Sequence, residues 1–295
     1  MRFAVCMEEG ERRLGVVRGD RVATLGSSSP DLLEVIGWGR DGLEAISKQA
    51  DVLPAGAWRP LSTVRLALPF QPAGKVICLG LNYRAHAREG GYEVPDYPAL
   101  FLRVATSLLP AGEAIVAPFV SEKLDFEAEL MVIIGRGGRH IPEAQALDHV
   151  FGYTCFNDAS IRDFQRKTHQ WTPGKNFDRT GAIGPVVVTA DELPAGAAGL
   201  RIACRLNGAT VQDASTADML VPVAMAVSLV SEFMTLEPGD MIAMGTPQGV
   251  GHARTPPLWM RPGDTVEVEI EGIGILRNGV VAEGEEAPLQ GTAGK

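Results

Sequence analysis

The sequence predicts a β-rich α+β fold. Three observations carry that expectation. Gly and Pro are abundant, at 34 and 20 of 295 residues, which favours many turns between short strands. Pro-Gly-Asp precedes a strand-like run twice, at Pro238 and at Pro262, a turn-then-strand pattern. Helical segments are sparse and do not alternate with strands, so a doubly wound parallel sheet is not expected.

In chain order, residues 3–6, 13–18 and 21–25 read as short strands, and residues 31–36 and 42–49 as helices. The Pro-containing stretches 53–58 and 68–74 look like a linker. The expected division is a small N-terminal domain (1–70), a larger unit (71–290) and a flexible tail (291–295). From Lys75 the texture changes: Val76-Ile-Cys-Leu79 begins a buried strand, and polar chemistry follows. Leu130-Met-Val-Ile-Ile134 is an unbroken apolar run, the mark of a strand buried on both faces. A strand at 150–156 should meet a helix at 158–167, with further helices at 144–149 and 222–234. At 266–271, Glu267, Glu269 and Glu271 alternate with Val and Ile, which reads as a strand with one solvated face.

Composition narrows the function. Hydrophobic content of 45% and charge of 21% are ordinary for a soluble globular protein. A net charge of −9 without a basic run argues against a nucleic-acid partner. Cys6, Cys78, Cys155 and Cys204 are scattered without zinc-like spacing; Cys78 and Cys204 lie in apolar contexts and read as buried free thiols. The N-terminus reaches charge too early for a signal peptide, and the longest apolar stretch (220–230) carries Pro222 and is too short to span a bilayer. A cytoplasmic protein without a membrane partner is expected.

The chemistry concentrates in a few acidic residues. In Leu124-Asp-Phe-Glu-Ala-Glu-Leu130, strand alternation points Glu127 and Glu129 the same way, just ahead of the buried run. Two carboxylates there require a cation or a shared proton. An oxygen-only set suits a hard divalent ion, Mg²⁺ first, with Mn²⁺ or Ca²⁺ as alternatives. Asp158 stands where strand meets helix; on spacing alone it is equally a helix N-cap. Arg162 and Gln165 follow it at helical spacing, which fits a shared face or a solvated ion pair. His86 and Glu89, at i,i+3, can pair as a general base needs, and Gly90-Gly91 behind them could hinge a lid. Lys175, between aromatics, suits stabilisation of developing negative charge. Met244-Gly-Thr-Pro-Gln-Gly-Val-Gly251 lacks the P-loop Lys; its amides and Thr246 suit a carboxylate.

Gly80-Leu-Asn-Tyr-Arg-Ala-His86, the Glu127/Glu129 segment, Gly152-Tyr-Thr-Cys-Phe-Asn-Asp158, Arg162-Asp-Phe-Gln165, Gly174-Lys175, Leu206-Asn-Gly208 and Gly245-Thr-Pro-Gln-Gly249 occur in order. As an ordered set they resemble the fumarylacetoacetate hydrolase family over roughly residues 75–280. The resemblance implies a mixed β-roll catalytic domain behind a smaller N-terminal α/β domain, assembled as a homodimer. It implies that Glu127, Glu129 and Asp158 bind Mg²⁺ or Mn²⁺, with Asp125 behind them. His86 and Glu89 would activate water, Lys175 would stabilise charge, and Arg162, Gln165, Thr246 and Tyr83 would contact substrate. The implied reaction is hydrolysis of the C–C bond of a 2,4-dioxo acid, with an enolate as leaving group. The same apparatus would serve an isomerase or a decarboxylase of a 2-oxo diacid; a metal-dependent binder without catalysis is the third possibility. Arg84, Arg88, Tyr92, Arg103, Gln170 and Arg179 are candidates for shaping the substrate's far end.

Overall fold

A computed structural model describes residues 1–26, 28–70, 74–89 and 97–285. The hinge Gly90-Gly91, Tyr92 and the tail at 291–295 lie outside them.

The chain opens with an antiparallel meander of β1 (Arg2–Glu8), β2 (Glu11–Arg18) and β3 (Arg21–Thr24). Next come α1 (Leu32–Gly37), α2 (Gly39–Asp51) and the short β4 (Arg59–Pro60), which pairs with β3. Asp31 and Glu34 start α1 reciprocally, each side chain accepting from the other's backbone N–H at 2.8 Å.

Beyond Gly74 the chain forms β5 (Val76–Gly80), α3 (Arg84–Glu89), β6 (Ala99–Arg103), β7 (Leu108–Pro110) and β8 (Ile115–Ala117). It continues as β9 (Leu124–Asp125), β10 (Ala128–Ile134), β11 (Val150–Asp158) and β12 (Ser160–Ile161). The one-turn helices α4 (Arg162–Gln165) and α5 (Thr172–Lys175) lead to β13 (Gly181–Thr189). Last come β14 (Arg201–Leu206), β15 (Ala209–Ser215), α6 (Val223–Phe233), β16 (Met241–Ala243), β17 (Thr265–Ile270) and β18 (Gly274–Ala282).

The strands form a large mixed sheet in the order β4-β3-β2-β1-β13-β11-β10-β16-β5-β6, with β7 beside β13, and a five-stranded sheet β15-β14-β17-β18-β8. This is the β-rich α+β architecture that the sequence predicts. β10 lies near the middle and is buried along its whole length. Leu130, Val132 and Ile134 pack with Ile202, Val268 and Leu276 of the five-stranded sheet. Met131 and Ile133 belong to a second core with Leu32, Val35 and Ile46 of α1 and α2. Period-two alternation therefore serves two cores at once.

Two sequence-based details need comment. The helix expected at 158–167 is a strand end, a two-residue strand and one helical turn. Asp158 N–H donates to Glu127 O at 3.0 Å, and β12 pairs with β9, so tertiary pairing overrides local helical spacing. The strand at 266–271 is half solvated as expected, with Glu267 and Glu269 pairing with Arg205 at 2.7 and 2.5 Å. All four cysteines are buried and free. No helix among the described residues is long and apolar enough to cross a membrane.

Candidate active site

Three carboxylates meet where β10 begins and β11 ends. Glu127 sits in the break between β9 and β10; its N–H donates to Asn157 Oδ1 at 3.0 Å and its carbonyl receives Asp158 N–H. Glu129 is the second residue of β10, opposite Phe156 of β11, and Asp158 is the last residue of β11. Their ligand oxygens lie within 4.8 Å of one another, and all three side chains are buried.

Among the described residues three cations, Lys175, Arg162 and Arg103, serve four buried carboxylates (the triad and Asp125), and none of them pairs with Glu129. Lys175 Nζ donates to Glu127 Oε2 and Asp158 Oδ2, both at 2.6 Å. Arg162 pairs with Glu127 Oε1 at 2.7 Å and with Asp125 Oδ2 at 2.8 Å, and Arg103 pairs with Asp158 Oδ1. Glu129 forms no ion pair among the described residues; its one hydrogen bond is from Gly245 N–H at 3.0 Å. The consequences diverge. Burial disfavours the ionised form of Glu127, yet Arg162 and Lys175 outweigh it and hold its carboxyl far below the usual range. For Glu129, burial and the neighbouring Asp158 and Glu127 carboxylates all push its pKa well above the usual value. A divalent cation would supply the charge that this corner lacks, and the all-oxygen donor set fits one.

Lys175 reaches the carboxylates because α4 and α5 pack backbone to backbone. A Cβ on Gly174 would sit 2.4 Å from Gln165 N, so only glycine permits that approach. The Lys175 ammonium also lies 4.9 Å from the centroid of Phe101. Despite burial, the Asp158 and Glu127 carboxylates raise its pKa, so it stays charged.

His86 and Glu89 share α3, with His86 Nδ1 2.9 Å from Glu89 Oε1. Both Glu89 oxygens accept from Gly249 N–H, at 3.0 and 2.8 Å, so the carboxylate joins α3 to the Gly-rich loop. A carboxylate accepts, so Nδ1 carries the proton of this pair, and in the neutral imidazole Nε2 keeps its lone pair. His86, the triad, Arg162, Gln165, Lys175 and Thr246 line one cavity. Gln165 Oε1 accepts from Arg162 at 2.9 Å, and Thr246 Oγ1 accepts from Gln212 Nε2 at 2.8 Å. Tyr83 is the exception. Its backbone bridges Met219 and it borders a neighbouring cleft with Arg84 and Asp218, while its ring is buried, and burial together with the Glu129 carboxylate raises the pKa of its phenol.

Asp125 lies behind the triad, as expected. It accepts from Arg162 Nε, Gly251 N–H and the N–H of His252 at 2.8, 2.7 and 3.0 Å. Burial opposes its ionisation, but Arg162 and the His252 hydrogen bonds prevail and lower its pKa. Sequence reasoning missed three residues that shape the site, Gln212, His252 and Asn82, and it gave Arg103 the substrate's far end where the structure pairs it with Asp158. Asn82 ties β5 to the loops through Val221 N–H (2.7 Å) and the carbonyls of Met244 (2.8 Å) and Val221 (3.1 Å). Each is a single polar residue without a spacing signal.

Residues 75–281 match the fumarylacetoacetate (FAA) hydrolase C-terminal family. The mitochondrial oxaloacetate tautomerase FAHD2A of Homo sapiens is 40% identical over 239 residues, covering 80% of this chain and 74% of that protein. The fumarylacetoacetate hydrolase of Exiguobacterium antarcticum superposes with a TM-score of 0.83 at 35% identity, covering 96% of this chain and 99% of that one. A maleylpyruvate hydrolase from Sphingobium sp. SYK-6, solved with manganese(II) and pyruvate, gives 0.79 at 29% identity over 96% and 99%. The chain belongs to the fumarylacetoacetate hydrolase family, a family of enzymes that includes hydrolases and tautomerases.

Proposed function

We propose that the chain is a Mg²⁺-dependent hydrolase that cleaves the C–C bond of a 2,4-dioxo acid to release a carboxylic acid and a 2-oxo acid. The His86–Glu89 pair carries this reading, because an oriented imidazole facing a carboxylate-lined cavity is what water activation requires. Glu127, Glu129 and Asp158 would hold the divalent ion, Mg²⁺ with Mn²⁺ or Ca²⁺ as alternatives, which when bound supplies Lewis-acid polarisation of the substrate's 2-oxo group.

The chain's own groups do the rest. Glu89 accepts from His86 Nδ1–H and so aims Nε2 at a water. His86 Nε2 takes the water's proton, and the resulting hydroxide attacks the distal carbonyl carbon. The bond between that carbon and C3 then breaks, its electron pair forming the enolate of the departing 2-oxo acid. Lys175 places a fixed positive charge beside the developing anion. Protonation at C3, with His86 returning its proton, completes the hydrolysis. Arg162 and Gln165 contribute their cavity-facing edges to substrate orientation, and Thr246 is held ready by Gln212.

A second reading is supported by the 40% identity to a protein named oxaloacetate tautomerase. In it the same imidazole moves a proton between carbon and oxygen of a 2-oxo diacid without attacking water. Purified protein with Mg²⁺ should be assayed on acetylpyruvate and on enol-oxaloacetate. Release of pyruvate and acetate supports the hydrolase; accelerated loss of the enol absorbance without cleavage of acetylpyruvate replaces it with the tautomerase. The proposed assembly is a homodimer, which sedimentation equilibrium would test.

A further inference from the structure

We propose that Arg254 is a positioning residue for the His86–Glu89 pair: its guanidinium fixes the backbone of Gly249, whose N–H holds Glu89 and so sets the aim of His86. The proposal deepens the reading of His86 as the base and rests on it.

The pair depends on a contact outside its own helix. Glu89 stands at the end of α3 with its side chain 22% exposed, so burial alone does not hold it. Among the described residues its carboxylate has two partners, His86 Nδ1 at 2.9 Å and Gly249 N–H at 3.0 and 2.8 Å. The direction in which Gly249 presents its N–H therefore decides where Glu89 accepts from His86. That acceptance in turn decides which imidazole nitrogen faces the cavity with a lone pair.

Glycine is the residue least able to hold a backbone direction by itself. Gly249 has φ +101°, and its Cα lies so close to β15 that an added Cβ would stand 2.4 Å from Val211 O. No side chain fits there to anchor the loop, so another group must. Arg254 Nε and one of its terminal nitrogens both donate to Gly249 O, at 3.1 and 3.0 Å. The same terminal nitrogen donates to Val211 O. The planar guanidinium thus ties the loop carbonyl to a strand of the five-stranded sheet.

Arg254 is itself anchored. Its backbone N–H donates to Gly251 O at 3.3 Å, and Gly251 N–H donates to Asp125 Oδ1 at 2.7 Å. The side chain forms no ion pair among the described residues; its donors go to the two carbonyls. Without the guanidinium, the Gly249 and Val211 carbonyls would lose their common donor. Gly249 could then turn about φ and ψ and draw its N–H off Glu89, with the triad untouched.

Long-range ¹H–¹⁵N correlation spectra of Mg²⁺-loaded protein at pH 8.5 test this without a substrate. They distinguish the two neutral tautomers of each of the five histidines, and a His86→Gln spectrum assigns the His86 signals. Wild type should carry the His86 proton on Nδ1, and Arg254→Met should move a substantial fraction of it to Nε2. On whichever of acetylpyruvate and enol-oxaloacetate is turned over, Arg254→Met should lower kcat about tenfold, with KM and Mn²⁺ affinity within about twofold of wild type. In a Glu89→Ala background the same substitution should lower kcat by less than about twofold, because Gly249 N–H then has nothing to position. If Arg254→Met fails to fold, Arg254→Lys, which keeps the charge but not the fork, should show the same changes in part. An Arg254 variant with the wild-type tautomer and kcat, or with equal losses in both backgrounds, overturns the role of Arg254 alone. Wild type with the His86 proton on Nε2 overturns the chain of contacts and the proposal. A His86→Gln protein with unaltered kcat overturns the reading of His86 as the base, and the proposal with it.

Discussion

Replacing Glu129 by Gln should stabilise the metal-free protein while destroying its affinity for a divalent ion. Glu129 is 2% exposed, and the ligand oxygens of Glu127 and Asp158 lie within 4.8 Å of its own. At that separation each like-charge pair costs about 3.5 kcal/mol at an effective dielectric of ~20. The Lys175 ammonium nearby offsets part of this. Protonation sets a separate ceiling: keeping the carboxyl neutral at pH 7, against an unfolded value of ~4.3, costs at most about 3.7 kcal/mol. A neutral Gln avoids both costs, keeps an acceptor for Gly245 N–H, and brings N–H groups for the neighbouring carboxylates.

The expected gain is about 2–3 kcal/mol, or about 3–5 °C in Tm for a chain of this length. Its pH dependence has a definite sign. Burial and two carboxylates raise the folded-state pKa of Glu129, so its contribution is fully favourable below the unfolded value and is lost as pH rises toward the folded one. The advantage of the variant should therefore shrink toward pH 4.5 and widen toward neutrality. Calorimetric melts of EDTA-treated proteins across that range, with Mn²⁺ titrations at pH 7.5, provide the measurement. A variant that melts at or below wild type at pH 7, or that binds Mn²⁺ as wild type does, would refute the reasoning.

Other perturbations follow from the same geometry. His86→Gln should lower kcat by about 10²–10⁴-fold with Mn²⁺ affinity unchanged, and an unaltered kcat would remove His86 as the base. A Cβ on Gly181 would lie 2.9 Å from Arg103 Cζ, so Gly181→Ala should cost about 1–3 kcal/mol in urea unfolding. An unaffected midpoint there would show that Arg103 has room to move. Gln212 joins Ala128 N–H (2.9 Å), Thr246 Oγ1 (2.8 Å) and Pro247 O (2.8 Å), so Gln212→Leu leaves three buried groups without their partner. The expected loss is about 2–4 kcal/mol by thermal denaturation, and a loss under about 1 kcal/mol would contradict that role.

What the residues disclosed in advance depended on repetition. The alternation at Glu127 and Glu129, the apolar run of β10 and the i,i+3 pair on α3 are patterns with a period, and periods follow from backbone geometry. Asp158 is legible as a site residue only through its company. Its actual place, at the end of β11, depends on pairing with segments far away in the chain. Arg103, Gln212 and His252 act through contacts spanning 55, 84 and 127 residues, and no local spacing announces such contacts. Tyr83 shows the converse: Leu81 and His86 on either side line the cavity, yet Tyr83, Arg84 and Ala85 between them border the neighbouring cleft.

The ammonium of Lys175, bound at once to Glu127 and Asp158, bears on how the protein passes through metal scarcity. Many small metal-binding domains have no folded form without their ion, because nothing else holds the ligands together. Here an internal cation spans two of the three ligands, and a full β core lies beneath them. Chelation should therefore yield an idle, folded protein, ready to be reloaded by mass action. Metal supply would then regulate its activity reversibly, leaving its abundance unchanged.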